Sequence, residues 1–550
     1  MKKTKILFVL SFAAYFLFCS PMIWAQTKTV EPNLDFLNNI IKLDVNSDGS
    51  RKFTTYLLRR GQTYYINGTI DNTGFILTLK AEDGTGAKPI VQNYPDATGN
   101  YNTLIAARGT NTIISNIYFD GMGTNMGTGN LDPLVAQSSQ MVNCDASGIV
   151  VTIDGCIFTN CNTVFIRSAG GARKVQVTNS TFANSCQISV ADPGNGRFFE
   201  FRNKITDSVI VNNCTVVNLT DRFFRHLDGS GINTDMVQYV EFDHNTFVNQ
   251  LGVYGTFMFG DVNKGVKFTN NLLVNCQAMG FDSTSTVLNN ETLVHLEPII
   301  SMPTAGYRYL FCDEPNTGIS PSFQFNNNVV MLDPAIKTLW TQKAPKTIEA
   351  PVLSKHITSL LTSGSKAPTS VTYFALKNIP KWPQAMMTFI YSSLADGAVT
   401  TTNTVDFDRH TRKYWSDSLD CSYTIKNNAF FGTDGKPIGS GQWKSVVTDV
   451  KSEGTQIPSK FSLSNNYPNP FNPSTKIQFS IPVTSNVSLI VYNLVGQEVS
   501  RLVDQQLVAG SHSVSFNAEG LSSGIYFYKL TAVGLNGEKF VSSHKMTLLK

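Results

Sequence analysis

Apolar and polar residues alternate with a period of two in a series of short segments. They read "VQVTN" (175–179), "VEFDH" (240–244), "VKFTN" (266–270), "FQFNN" (323–327) and "YTIKN" (423–427). Such alternation predicts strands with one buried face. Each segment runs into a hexapeptide of the form Asn-x-x-apolar-x-Asn: "NSTFAN" (179–184), "NCTVVN" (213–218), "HNTFVN" (244–249) and "NNLLVN" (270–275). Looser copies are "SNIYFD" (115–120), "GCIFTN" (155–160), "NNVVML" (327–332) and "NNAFFG" (427–432). The copies at 155, 179, 213, 244 and 270 are 24, 34, 31 and 26 residues apart, and 57 residues separate 270 from 327. There is little helical periodicity between them.

Recurrence at 20–50 residues marks a solenoid. With strands as the repeating element, the expected architecture is a parallel β-helix, each turn burying its apolar face on the next. The last Asn of each copy (Asn160, Asn184, Asn218, Asn249, Asn275) falls at one register position. There the hexapeptide is read as a corner, where backbone groups leaving the ladder need side-chain partners. The five asparagines are therefore expected to stack in one interior column. Residues 333–420 break the pattern with mixed apolar spacing and prolines, which reads as an irregular excursion with short helices over one face of the solenoid. "GDVNKG" (260–265) reads as a turn.

Composition narrows the class. Charged residues are 15% of the chain, against about a quarter in an average domain, so the polar surface must come from Asn, Ser, Thr and Gly. Formal net charge is +4, and Lys2, Lys3 and Lys5 supply three of those positives. That balance argues against a nucleic-acid partner. "MKKTK", the apolar run "ILFVLSFAAYFLF" and "SPMIWAQ" together read as a signal peptide over 1–25, cut after Ala25. No later run is long enough for a membrane span. Of nine cysteines, Cys19 lies in that leader. The other eight are Cys144, Cys156, Cys161, Cys186, Cys214, Cys276, Cys312 and Cys421. They follow the repeat register and read as buried thiols, with disulfides the alternative that an exported protein allows.

Residues 57–91, including "LLRRGQTYYINGTI" and "FILTLKAEDGTGAKPIVQ", resemble the opening of polysaccharide lyases of the chondroitinase B and alginate lyase type, in the pectin-lyase-like superfamily. The stretch 51–440, with its terminal "GTDGKPIGSGQW" (432–443), resembles the secreted pectin-lyase-like β-helices of Bacteroidetes. The resemblance implies an all-β chain with a right-handed parallel β-helix. The catalytic Lys–Arg pair and acidic Ca²⁺ triad of such lyases have no residue-by-residue match. From 459 the text changes to short alternating strands, expected to form a small Ig-like β-sandwich. Tyr467-Pro468-Asn469-Pro470-Phe471, "VYNLVGQEV" (491–499), "GIYFYKL" (524–530) and "KMTLLK" resemble the type A sorting domain of the type IX secretion system. That resemblance implies passage through the periplasm to the cell surface or the exterior, with the type IX machinery as partner. The expected layout is thus signal peptide 1–25, lead-in 26–50, β-helix 51–445 with its excursion at 333–420, linker 446–458 and sorting domain 459–550.

A β-helix presents rows of side chains about 4.8 Å apart, a spacing suited to extended polymers. Seven residues past each ladder Asn stand Arg167, Ala191, Arg225, Thr256 and Asp282, expected as one row. Two arginines two rungs apart would be about 10 Å from each other and suit the carboxylates or sulfates of an acidic polysaccharide. "DRFFRHLDG" (221–229) is the densest ionisable cluster. A polyuronate lyase removes the proton α to a carboxylate and needs a base and enolate stabilisation, often with Ca²⁺. The candidates are Arg225, Arg222 and His226 for catalysis, Arg167 and Thr256 for substrate binding, and Asp221, Asp228 and Asp282 for Ca²⁺. A solvated charged strand, and a non-catalytic glycan-binding or adhesin-type surface protein, are the alternatives. A glycosidase reading needs paired carboxylates, and Asp221, Asp243 and Asp282 fall on separate rungs.

Overall fold

The structure, a computed structural model, describes residues 26–123, 138–186, 196–226, 237–282, 311–312, 320–388 and 419–549, apart from short gaps inside these stretches. The signal-peptide region 1–25 lies outside them.

The period-two segments build one parallel sheet of ten strands, from Thr27–Val30 and Thr55–Leu58 through Val150–Asp154, Lys174–Thr178, Thr206–Asn212 and Val237–Asp243 to Ser322–Asn326. The hexapeptide strands, such as Thr181–Ser185, Thr215–Leu219 and Thr246–Gln250, form the second face. A third set, among them Ser138–Cys144, Arg197–Phe201, Phe224–His226 and Phe257–Met258, forms the third face. Ile157–Ser168 belongs to both, pairing with second-face strands through its first half and third-face strands through its second. The chain visits the faces in this order on every turn, which is a three-faced parallel β-helix. It begins earlier than the sequence reading placed it, because Thr27–Val30 already pairs in parallel with Thr55–Leu58. The helix Leu37–Leu43 buries Leu37 and Ile41 against the first rung.

The core is a set of columns. Phe119, Phe158 and Phe182 are in register, with rings stacked at 4.8 and 5.0 Å, and Val216, Phe247 and Leu273 continue the row; this register puts the first copy at 116–121, one residue later than the sequence reading aligned it. The asparagine column is present as expected. Asn184, Asn218, Asn249 and Asn275 each donate Nδ2–H to Oδ1 of the Asn one rung before, at 3.3, 3.0, 3.0 and 3.0 Å. Asn160 donates to Asp120 at 2.9 Å, and the Asp333 amide donates to Asn275 at 2.9 Å.

All five asparagines have positive φ, between 53° and 65°. So do the residues that open the motif: Asn116, Asn179, Asn213, His244, Asn270 and Asn327, between 50° and 59°. The hexapeptide is therefore a short strand between two left-handed bends, rather than one corner. Asn tolerates that region because its short amide can bond locally. "GDVNKG" is also not a simple turn, since Val262–Thr269 is a first-face strand.

Of the copy at 427–432, residues 427–429 lie outside the described residues. Residues 430–443 run as a strap over the second face. Gly439 N–H bonds Asn270 O at 2.8 Å, Ser440 N–H bonds Thr246 Oγ1 at 2.8 Å and Trp443 Nε1–H bonds Thr215 Oγ1 at 2.8 Å. The excursion contains the helices Pro334–Lys343 and Lys355–Ser359. With the strap it packs Leu376, Leu419, Tyr423, Phe430 and Ile438 on the outward Ala183, Val217, Val248 and Val274. Two four-stranded antiparallel sheets close the chain around Phe479, Leu489, Tyr528, Leu530 and Met546, forming the β-sandwich. Its first strand, Lys451–Ser452, comes from the stretch read as linker.

Seven cysteines (Cys144, Cys156, Cys161, Cys186, Cys214, Cys276, Cys421) are free and buried, as thiols. Burial pushes Cys144, Cys156 and Cys214 up to about 12.

Candidate functional site: an arginine-rich patch on the third face

Parallel register places Asn143, Arg167, Glu200, Arg225 and Met258 in one row on the third face, and the backbone of Cys312 continues it. Arg167 and Arg225 do share this row two rungs apart, and Glu200 stands between them. The row differs from the expected one at three places. Ala191 lies outside the described residues and Glu200 holds its rung. Met258, not Thr256, is the next member. Asp282 pairs with Thr347 in a separate antiparallel ribbon.

Glu200 is the hub. Its Oε1 meets Arg225 Nη1 at 2.7 Å, Arg202 Nη2 at 2.8 Å and Arg197 Nη1 at 3.0 Å, and its Oε2 faces Arg167 Nε at 3.6 Å. Asp221 Oδ2 meets Arg197 Nε at 2.5 Å and Arg222 Nη1 at 3.4 Å. Among the described residues five arginines thus meet two carboxylates. Burial alone would raise the Glu200 carboxyl, but the Arg197, Arg225 and Arg202 guanidiniums outweigh it and bring the group down to about 2. Burial, then the like charges of Arg197 and Arg222, lower Arg225 to about 10, so it stays protonated at neutral pH.

Exposure divides the cluster. Arg225, Arg222, Arg197, Glu200 and Asp221 are buried, whereas the side chains of Arg167 and Arg202 are 28% and 30% exposed. The groups that meet solvent are therefore Arg167, which the sequence singled out, and Arg202, which it did not. Thr256 is fully buried and donates its hydroxyl to Gln250 Oε1 at 2.8 Å, so it does not reach solvent. His226 follows Arg225, but its backbone is in register with Phe201 and so in the row of Ser168 and Phe201. Asp228 lies outside the described residues.

Glu200 was legible in one signal. "RFFEF" (197–201) and "RFFRH" (222–226) are successive copies of one third-face strand, which puts Glu200 directly opposite Arg225. Counting from the ladder Asn missed it, because Arg167 and Arg225 follow their asparagines by seven residues and Glu200 follows Asn184 by sixteen.

The patch does not fit a Ca²⁺ site. Among the described residues no group of three His, Cys, Asp or Glu side chains is arranged to hold a metal ion. Asp221 is committed to two arginines, Arg197 and Arg222, whose positive charges repel a divalent cation at that carboxylate. A second ionisable group lies on another face. There His244 sits between Asp243 at 2.9 Å and Asp434 of the strap at 3.3 Å.

Residues 465–542 match the family model of a secretion system C-terminal sorting domain. The protein is therefore routed through the type IX system to the cell surface or the exterior. No helix of the described residues is long and apolar enough to cross a membrane. No curated protein matches the chain. A solved structure titled "The crystal structure of CopC from Methylosinus trichosporium OB3b" is similar at 15% identity over 16% of this chain and 93% of its own, with a TM-score of 0.14.

Proposed function

We propose that this protein, once delivered to the cell exterior, holds an acidic polysaccharide against the third face of its β-helix. The observation that carries this reading is the pair of partly exposed arginines, Arg167 and Arg202, that flank Glu200 on neighbouring rungs, with side chains 28% and 30% exposed. Glu200 and Asp221 pair with the three buried guanidiniums of Arg197, Arg222 and Arg225. The outer pair keeps donors directed outward for carboxylate or sulfate groups, which guanidinium forks bind bidentately. An extended chain along the solenoid axis meets one rung about every 4.8 Å, and Arg167 and Arg202 stand on neighbouring rungs.

β-Elimination is the second reading. It is favoured by the pectin-lyase-like pattern of the sequence and by His226 standing beside Arg225 in the chain. In that reaction a base takes the proton α to the carboxylate, the electron pair forms the new C=C bond, and the glycosidic C–O bond breaks to release a protonated leaving sugar. The arginines would stabilise the enolate. Glu200, held ionised down to about 2, is a poor base for this task. Binding therefore has more support than catalysis.

The test incubates the exported protein with alginate, pectate and glycosaminoglycans, with and without Ca²⁺. Retention of polymer on immobilised protein reports binding, and absorbance of the unsaturated product reports elimination. Binding without product supports the first reading. Product that is lost in Arg225→Ala, with folding intact, supports the second. Neither across the whole set removes both.

A further inference from the structure

The excursion that follows the last full rung builds a cleft of about 400 Å³, within the roughly 300–1,000 Å³ of small-ligand sites. Its walls include Asn275, Asp333, Tyr373, Asn378, Lys381 and Trp382. A neighbouring cavity of about 380 Å³ shares Tyr373. The two aromatic rings are half-buried, and Asn378 and Lys381 are exposed at the rim.

The lining is tied to the most regular part of the fold. Asp333 N–H bonds Asn275 Oδ1 at 2.9 Å, so Asp333 continues the asparagine ladder past its last amide. Its Oδ1 accepts the Ala335 N–H at 2.9 Å at the start of the helix Pro334–Lys343. Its Oδ2 accepts the Trp382 Nε1–H at 3.2 Å, which fixes the indole by its edge, while the ring packs in part on the Ile336, Leu339 and Trp340 cluster and stays half-buried. One side of Asn249 reaches the same segment, donating Nδ2–H to Pro380 O at 3.0 Å. Aromatic walls with a few fixed polar groups suit a ligand that is apolar on one face and hydroxylated at its edge. A purely apolar ligand would make no use of Asp333, Asn378 and Lys381 beside the rings. A sugar ring has the required two-sided character.

We propose that this cleft binds one sugar unit of a glycan. The CH face of the ring packs on Trp382 and Tyr373, and its hydroxyls meet Asp333, Asn378 and Lys381. None of these residues belongs to the arginine patch, so the site can exist whether or not the third face binds a polymer.

The test is calorimetric titration of the exported full chain with glucose, galactose, N-acetylglucosamine and glucuronate. At least one of the four is expected to bind, with a more than tenfold loss in Trp382→Ala and in Tyr373→Ala. Arg167→Ala/Arg202→Ala is expected to bind as well as the parent, which separates this site from the third face. Because Trp382 anchors Asp333, its replacement can disturb the segment. Lys381→Ala, at an exposed rim position, is therefore expected to weaken binding severalfold with an unchanged unfolding midpoint. The proposal is overturned if none of the four sugars binds, or if the Trp382, Tyr373 and Lys381 variants bind as the parent does.

Discussion

Asn218 donates its amide to Asn184 Oδ1 at 3.0 Å and accepts from Asn249 Nδ2 at 3.0 Å, while its own backbone holds φ at 58°. Asn218→Leu breaks both bonds and forces a branched side chain into the left-handed region. The expected cost is about 1–3 kcal/mol for the unpaired buried amides, with about 1–2 kcal/mol more for the backbone. Asn218→Gly keeps the backbone relaxed and is expected to cost less. Denaturant unfolding measures both. Equal midpoints for Asn218→Leu and the parent would show that the ladder does not hold the rungs.

Glu200→Gln leaves Arg225 and Arg197 buried with less compensating charge. Removing one partner of a buried ion cluster costs about 3–5 kcal/mol. The Glu200 carboxyl is depressed from its ordinary 4.5 to about 2, so its contribution to stability is present above 4.5 and is lost as pH falls toward 2. Unfolding followed between neutral pH and pH 2 is expected to show this fall in the parent. In Glu200→Gln the part of the fall due to this group is expected to be missing.

The free cysteines are expected to resist alkylation in the native protein. Thiolate is the reactive form, and burial holds Cys144, Cys156 and Cys214 up to about 12, with Cys276 and Cys421 also raised. Mass spectrometry after iodoacetamide should find these positions unlabelled before denaturation and labelled after it. Labelling of Cys156 or Cys214 in the native state would mean that the rungs open.

Removing residues from 459 onward is expected to leave a folded β-helix that stops in the periplasm, because the sorting domain at 465–542 directs the last step of export. Fractionation with an antibody to the β-helix reports this. Normal surface delivery of the shortened chain would contradict the routing.

The parts that were legible in the sequence repeat at near-constant spacing. Asn160 to Asn275 could be aligned because each is both a left-handed bend and a link in one hydrogen-bonded column, so the same residue type is needed on every rung. Arg167 and Arg225 could be placed in one row because the same number of residues separates each from its ladder Asn. Glu200 was hidden by the longer connection that precedes Arg197–Phe201, since a solenoid absorbs insertions between strands without changing register. "NNAFFG" shows the converse. It carries the motif, yet the described chain from Phe430 onward runs as a strap whose Gly439 and Ser440 bond Asn270 and Thr246. Burial was not legible either. Arg225 reads as a solvent-facing charge by alternation, but is 1% exposed.

The most direct test of the proposed function is the affinity of the exported protein for an acidic polysaccharide such as alginate, measured over a range of salt concentrations. The parent is compared with Arg167→Ala/Arg202→Ala. Charged hydrogen bonds contribute about 1.5–3 kcal/mol each, and exposed ones less because salt screens them. The double variant should therefore bind at least about tenfold more weakly, with a shallower salt dependence and an unfolding midpoint close to the parent's. Affinity unchanged in the double variant, or equal binding of a neutral polymer by the parent, would contradict an acidic polysaccharide on the third face.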